Sequence, residues 1–251
     1  MAHRGLRFCA LAHTALCGTT VRMSWIAHFC VVCERRFRGE MDLCEHCLAT
    51  LPWNEHSCMR CAVPLANPER DLCHRCERSP PDFDQAVAPL LYRDAPARWV
   101  QRLKFNGSFR EGAVLARLFA EDVAFTGLRV DVIVPIPLSA RRLMQRGHNQ
   151  VAMLCRALSR ELGAPLDRRV LARKRHTRAQ SDLPVSARRA NVAGAFRCRR
   201  RLSGEHVALV DDVMTTGETL SAASKVLREA GAGTVTVCAA TRTGTEQSQV
   251  L

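Results

Sequence analysis

The sequence predicts an α/β chain in two parts: a small module built on cysteine knuckles, then a domain with a parallel, doubly wound sheet. Three observations carry this reading. Eight of the 13 cysteines fall between Cys30 and Cys76 as four Cys-x-x-Cys pairs. Beyond Pro80-Pro81, short apolar runs alternate with amphipathic stretches, the pattern of strands joined by helices. One apolar strand near the C-terminal end stops at two aspartates and enters a Thr-Thr-Gly turn.

A chain of 251 residues holds one ordinary α/β domain plus a smaller module. Its hydrophobic share of 47% supports a packed core and excludes a disordered polymer. No apolar run reaches the ~18 residues of a membrane helix, so no membrane insertion is expected. The net charge of +13 is concentrated: positions 141–201 hold 17 Lys and Arg against three acids, Glu161, Asp167 and Asp182. Such a block suits polyanions, although a solvated surface has the same composition. Residues 6–17 are mildly apolar behind Arg4 and Arg7 but are broken by His13, so they make a poor leader peptide. Met23 stands directly before the cysteine module. Residues 1–22 are therefore expected to be a mis-assigned start or a disordered extension, 23–80 the cysteine module, 81–244 the main domain and 245–251 a disordered tail.

The Pro80-Pro81 pair favours extended backbone and marks the boundary or hinge. Residues 86–92 read as a strand. Asp94 caps a helix to about Lys104, which Asn106-Gly107 closes. A second helix is expected over 111–123, and the apolar run 131–137 is a strand ending in prolines. Val151, Leu154, Cys155, Leu158 and Leu162 follow helical spacing, with Gly163 as the stop and Pro165 beyond it. Residues 170–172 form a short strand leading into the basic segment. Then follow a strand over 206–213, a helix over 220–230 and a strand over 234–240. Arg98, Arg102 and Lys104 are expected to face water, and Arg197 with Arg199–Arg201 to form a solvated hairpin tip.

The knuckle spacing is Cys30-x2-Cys33, ten residues, Cys44-x2-Cys47, then Cys58-x2-Cys61, eleven residues, Cys73-x2-Cys76. Each knuckle brings two thiolates to one ion, and two knuckles complete a tetrahedron, so two structural zinc ions are expected. About 50 residues with so few large apolar groups need such a staple, because a structural zinc supplies on the order of 10 kcal/mol. Sequential pairing keeps each loop short, while spacing leaves an interleaved pairing open. An iron–sulfur cluster would also accept four thiolates.

The segment 207–219 reads Val-Ala-Leu-Val-Asp211-Asp212-Val-Met-Thr215-Thr216-Gly217-Glu218-Thr219. Backbone N–H groups and threonine hydroxyls at a helix N-terminus favour phosphate, and Gly217 allows close approach. Asp211 and Asp212 can accept hydrogen bonds from vicinal ribose hydroxyls at the carboxyl edge of a parallel sheet. Capping alone would explain one threonine or one aspartate, not this whole set. The combination describes a ribose 5-phosphate site.

This stretch resembles the 5-phosphoribosyl-1-pyrophosphate (PRPP) motif of type I phosphoribosyltransferases. Further segments resemble the ComF family in particular: Leu103-Lys104-Phe105-Asn106-Gly107, Val134-Pro-Ile-Pro-Leu138, Arg146-Gly147-His148-Asn149-Gln150, Thr177-Arg-Ala-Gln180 and Arg189-Ala-Asn191-Val-Ala-Gly-Ala-Phe196. His148 stands where that family usually carries an aromatic residue. The resemblance implies a type I phosphoribosyltransferase-like parallel sheet behind an N-terminal double zinc ribbon. It implies that Asp211 and Asp212 hold the ribose, that Thr215, Thr216, Gly217, Glu218 and Thr219 hold the 5-phosphate, and that Ser139, Ala140 and Arg141 form the pyrophosphate loop. The basic stretch 173–189 would be the mobile loop over the site, and Mg²⁺ would travel with the pyrophosphate. Arg141, Arg142 or Arg175 would neutralise a departing pyrophosphate, while no residue stands out as a general base. The function implied is a cytoplasmic PRPP-binding protein that handles single-stranded DNA with competence-machinery proteins during natural transformation. A phosphoribosyltransferase on an unidentified acceptor and a PRPP-sensing regulator are the alternatives.

Overall fold

A computed structural model of the chain describes residues 27–105, 107–139, 143–144, 147, 149–174 and 194–244. The expected extension 1–22 and tail 245–251 lie outside these residues. The cysteine module holds an antiparallel hairpin, β1 (Ala27–Phe29) with β2 (Arg36–Arg38), and two one-turn helices, α1 (Glu45–Ala49) and α2 (His74–Arg78). Each short helix starts directly behind a cysteine, Cys44 or Cys73, in extended conformation. The next cysteine of each pair, Cys47 or Cys76, is thereby carried on the helix.

The main domain runs β3 (Gln85–Val87), β4 (Leu90–Leu91), α3 (Asp94–Phe105), α4 (Phe109–Phe125), β5 (Val132–Pro135), α5 (Val151–Leu162), β6 (Leu171–Arg173), β7 (Phe196–Cys198), β8 (His206–Met214), α6 (Glu218–Glu229) and β9 (Thr234–Arg242). Five of these strands form one all-parallel sheet in the order β3-β9-β8-β5, with β4 also on β9. The near-continuous apolar runs of β8 and β9 follow from burial on both faces. Val207 and Leu209 join one core with Leu220, Ala223 and Leu227 of α6. Ala208 and Val210 join the other core, against α3, α4 and α5.

The single strand expected over 86–92 is two strands. β3 pairs with Thr236–Cys238 and β4 with Thr241–Arg242, and the residues between them leave the ladder. Asn54 of the cysteine module takes up that gap: Nδ2 donates to Ala88 O at 3.0 Å, and its backbone N–H to Pro89 O at 2.8 Å. The short strand expected at 170–172 forms as β6, but it pairs antiparallel with β7 in a separate ribbon instead of joining the sheet. Helix α5 ends as expected, with Gly163 left-handed at φ 65°.

The boundary at Pro80-Pro81 does not separate two cores. Cys58, Cys61, Cys73 and Cys76 pack in the core on the α6 face, while Cys30 and Cys47 pack in the core on the α3–α5 face. The module thus straddles the sheet. A segment too short to bury its own core buries itself on a larger one.

Candidate functional site

The two cysteine sets gather sequentially: Cys30, Cys33, Cys44 and Cys47 in one group, and Cys58, Cys61, Cys73 and Cys76 in the other, with the sulfurs of each group within 4.8 Å of one another. Cys33 Sγ lies 3.8 Å from Cys44 Sγ, and Cys61 Sγ 3.7 Å from Cys73 Sγ. A tetrahedral zinc with bonds of about 2.3 Å sets its sulfurs about 3.8 Å apart. Each group therefore fits one structural zinc, and four thiolates leave no open position for chemistry.

The second site lies at the carboxyl edge of the sheet, where β8 delivers Asp211 and Asp212. Asp212 is 5% exposed. It is held by Lys104 Nζ at 3.1 Å, and Gln150 Nε2 donates to the same carboxylate oxygen at 2.8 Å. Asp211 is half-buried, and its Oδ1 accepts the Asp212 backbone N–H at 2.9 Å. Burial and the neighbouring Asp212 carboxylate push Asp211 up to about 7, against the pull of Lys104 and Arg173. Beyond the pair, Val213 packs on the α3–α5 side and Met214 on the α6 side, so the in-out alternation slips by one residue across the two aspartates.

The loop then turns through Thr215 and Thr216 to Gly217, which is left-handed at φ 82° and starts α6. A Cβ there would stand 2.8 Å from Met214 Cε. The N–H groups of Thr216 and Gly217 donate to no other described residue. Thr216 Oγ1 and Gln150 Oε1 are buried without hydrogen-bond partners among the described residues. A polar ligand reaching such atoms recovers about 1–3 kcal/mol each. Thr219 is half-buried in the first turn of α6. The Glu218 carboxylate pairs with Arg75 Nη2 at 2.7 Å, which leaves its backbone N–H as its offer to an anion.

Ser139 is buried just past β5, whose exit runs level with the aspartates, since Ile136 N–H donates to Val210 O at 2.9 Å. Ala140 and Arg141 lie outside the described residues, as do Arg142 and Arg175. Of the expected covering loop, only Arg173 and Lys174 are described. They end β6, whose Arg173 guanidinium lies 5.2 Å over the Phe196 ring. An apolar cleft of about 480 Å³ adjoins Gln150, lined by Leu103, Phe109, Pro137, Leu138, Met153 and Arg156.

Lys104, expected to face water, instead holds the buried Asp212. Helical spacing alone could not show this, because the partner comes from a strand more than 100 residues away. The signal for it is the Leu-Lys-Phe-Asn-Gly motif at the helix end. Arg75 and Arg242 also escape the sequence reading. Arg242 is 1% exposed, and the sequence signal for it is a cation closing an otherwise uncharged nine-residue strand.

Residues 26–77 match the double zinc ribbon domain and residues 113–250 the phosphoribosyl transferase domain. The chain is 35% identical over 219 residues to DNA utilization protein YhgH of Salmonella typhimurium, covering 85% of this chain and 90% of that one. It is 36% identical over 167 residues to Competence protein F of Haemophilus influenzae, covering 63% and 73%. It is 30% identical over 219 residues to Competence protein ComFC of Streptococcus pneumoniae, covering 86% and 94%. With two four-cysteine clusters, a parallel sheet and an aspartate-ended strand feeding a threonine–glycine loop, the chain belongs to the ComF family of competence protein F and YhgH, a double zinc ribbon joined to a phosphoribosyltransferase-like domain.

Proposed function

We propose that this protein binds PRPP with Mg²⁺ at the sheet edge and handles single-stranded DNA in the cytoplasm, with competence-machinery proteins, during DNA uptake. The observation that carries the ligand is the arrangement of 211–219. One carboxylate, Asp211, is left to accept from ribose hydroxyls while Asp212 is locked by Lys104 and Gln150. Beside it, the N–H groups of Thr216 and Gly217, which donate to no described residue, favour the 5-phosphate at the entry to α6. Mg²⁺ enters with the pyrophosphate, for which Ser139, Ala140 and Arg141 are the proposed binding residues.

The nucleic-acid role is supported by what the relatives are named for and by the ribbon beside the site. Arg168, Arg169, Lys174, Arg197, Arg199 and Arg201 are exposed along β6, β7 and their flanks. Such a strip neutralises phosphates without reading bases. The apolar cleft at Gln150 favours one second reading, transfer of the phosphoribosyl group to an acceptor with loss of pyrophosphate.

Titration calorimetry with PRPP–Mg²⁺ tests the ligand. Binding by the native chain and its loss in Asp211→Asn, with the fold retained, is the expected result; equal affinity in the variant refutes the ribose role. Single-strand affinity should fall with salt, with a log–log slope of about −0.7 for each phosphate engaged. A flat response argues against the DNA role.

A further inference from the structure

The second four-cysteine cluster is tied to the phosphate loop by two arginines, and the first cluster is not. Arg75 stands between Cys73 and Cys76 on α2. It donates from Nη1 to Thr216 O at 2.9 Å and pairs through Nη2 with Glu218 at 2.7 Å. Arg242, at the end of β9, donates from Nε to Cys61 O at 2.9 Å, so it is anchored on the same four-cysteine cluster through its other knuckle. Its Nη1 donates to Met214 O at 3.2 Å, and also to the carbonyls of Thr215 and Thr243. Four stations of the loop region, Met214, Thr215, Thr216 and Glu218, are therefore held by guanidinium groups seated on one cysteine cluster.

The peptide plane gives these contacts a consequence. In a trans peptide the C=O of one residue and the N–H of the next point in opposite directions. Arg242 on the Thr215 carbonyl turns the Thr216 N–H away from the knuckle, and Arg75 on the Thr216 carbonyl does the same for the Gly217 N–H. Neither of these two N–H groups donates to a described residue. The arginines thus aim the donors of the anion cradle from behind. The first cluster is tied elsewhere: Arg110 pairs with Asp42 at 2.7 Å and Arg117 with Glu40 at 3.0 Å, both onto α4.

We propose that Arg75 and Arg242 are positioning residues through which the Cys58–Cys61–Cys73–Cys76 cluster sets the phosphate loop, so that the integrity of this cluster, and not of the first, governs affinity for a phosphate monoester. The inference rests on the phosphoribosyl reading of the loop. Neither arginine need touch the ligand.

The test compares Arg75→Ala, Arg75→Lys and Arg110→Ala in the full-length zinc-loaded chain. Zinc content by elemental analysis and the melting temperature are measured alongside calorimetry with ribose 5-phosphate and with PRPP–Mg²⁺. Both Arg75 variants are expected to keep the native zinc content and to bind either ligand at least about tenfold more weakly, which corresponds to about 1.4 kcal/mol. Lysine is included because it keeps the charge but loses the two-pronged contact to Thr216 and Glu218. Arg110→Ala should bind like the native chain. Hydrogen exchange in residues 214–219 without ligand should quicken in the Arg75 variants only, a readout that a general loss of stability would spread over the whole chain. Native affinity and native loop exchange in Arg75→Ala would overturn the link while leaving the phosphoribosyl site standing. Equal weakening in Arg110→Ala would overturn it as well, and failure of the native chain to bind either ligand would remove both proposals together.

Discussion

Asp211 and Asp212 are adjacent in sequence and unlike in chemistry. Asp212 has a lysine and a glutamine on one oxygen, and among the described residues the Asp211 carboxylate accepts only the backbone N–H of its neighbour. One carboxylate is thus fixed by side chains, and under the proposed function the other accepts from the ligand. Burial holds Asp211 near 7 against its ordinary 3.8, so the sign of its effect on stability can be worked out. Between those values the unfolded chain has released a proton that the folded chain retains. Stability therefore falls as pH rises through that window and levels off above it. Asp211→Asn should remove this slope, and the ligand-free variant should melt higher than the native protein at about pH 8 and much closer to it at about pH 4. Thermal melts across that range check it, and an unchanged slope would mean that Asp211 does not titrate as described.

At the scale of the element, the strand–loop–helix from β8 to α6 is the working part, and its turn depends on one glycine. Gly217 has positive φ, and an added methyl would press on Met214 Cε at 2.8 Å, the movable end of a flexible side chain. Gly217→Ala should cost about 1–2 kcal/mol from the left-handed backbone, as measured by urea unfolding. Gly163→Ala supplies the comparison, since Gly163 has a similar φ of 65° with nothing within 4 Å. If the two costs match, the Met214 contact is absorbed by side-chain motion; a larger loss at Gly217 means that the loop itself shifts. The strand expected over 86–92 failed at this scale for a definite reason. Its apolar run was legible and so was Pro89, which has no N–H for the ladder, but not Asn54, which reaches in from the zinc module to the carbonyls of Ala88 and Pro89.

For the whole molecule, the two zinc ribbons grip opposite faces of one sheet. Cys58, Cys61, Cys73 and Cys76 enter the α6-side core, and Cys30 and Cys47 the other. Elemental analysis should give about two zinc atoms per chain, one for each group of four cysteines. Because the cores are shared, stripping the metal should lower the main melting transition instead of adding a separate early one. A sheet that melts unchanged after chelation would show the ribbons to be independent of it. Among the described residues no helix is long and apolar enough to cross a membrane.

The eight knuckle cysteines, the parallel α/β pattern and the aspartate–threonine–glycine loop were all legible in the sequence, because each rests on local spacing: two residues between thiolates, alternating apolar runs, and a turn between a strand and a helix. Which cysteines share an ion, which aspartate stays available, and the ties of Lys104, Gln150, Arg75 and Arg242 were decided only by the tertiary structure. Those side-chain ties reach as far as 181 residues along the chain, from Arg242 to Cys61. A polar side chain advertises its charge in the sequence, but its partner is fixed only when strands and knuckles are brought edge to edge, where burial penalises a cation or carboxylate without a counterpart.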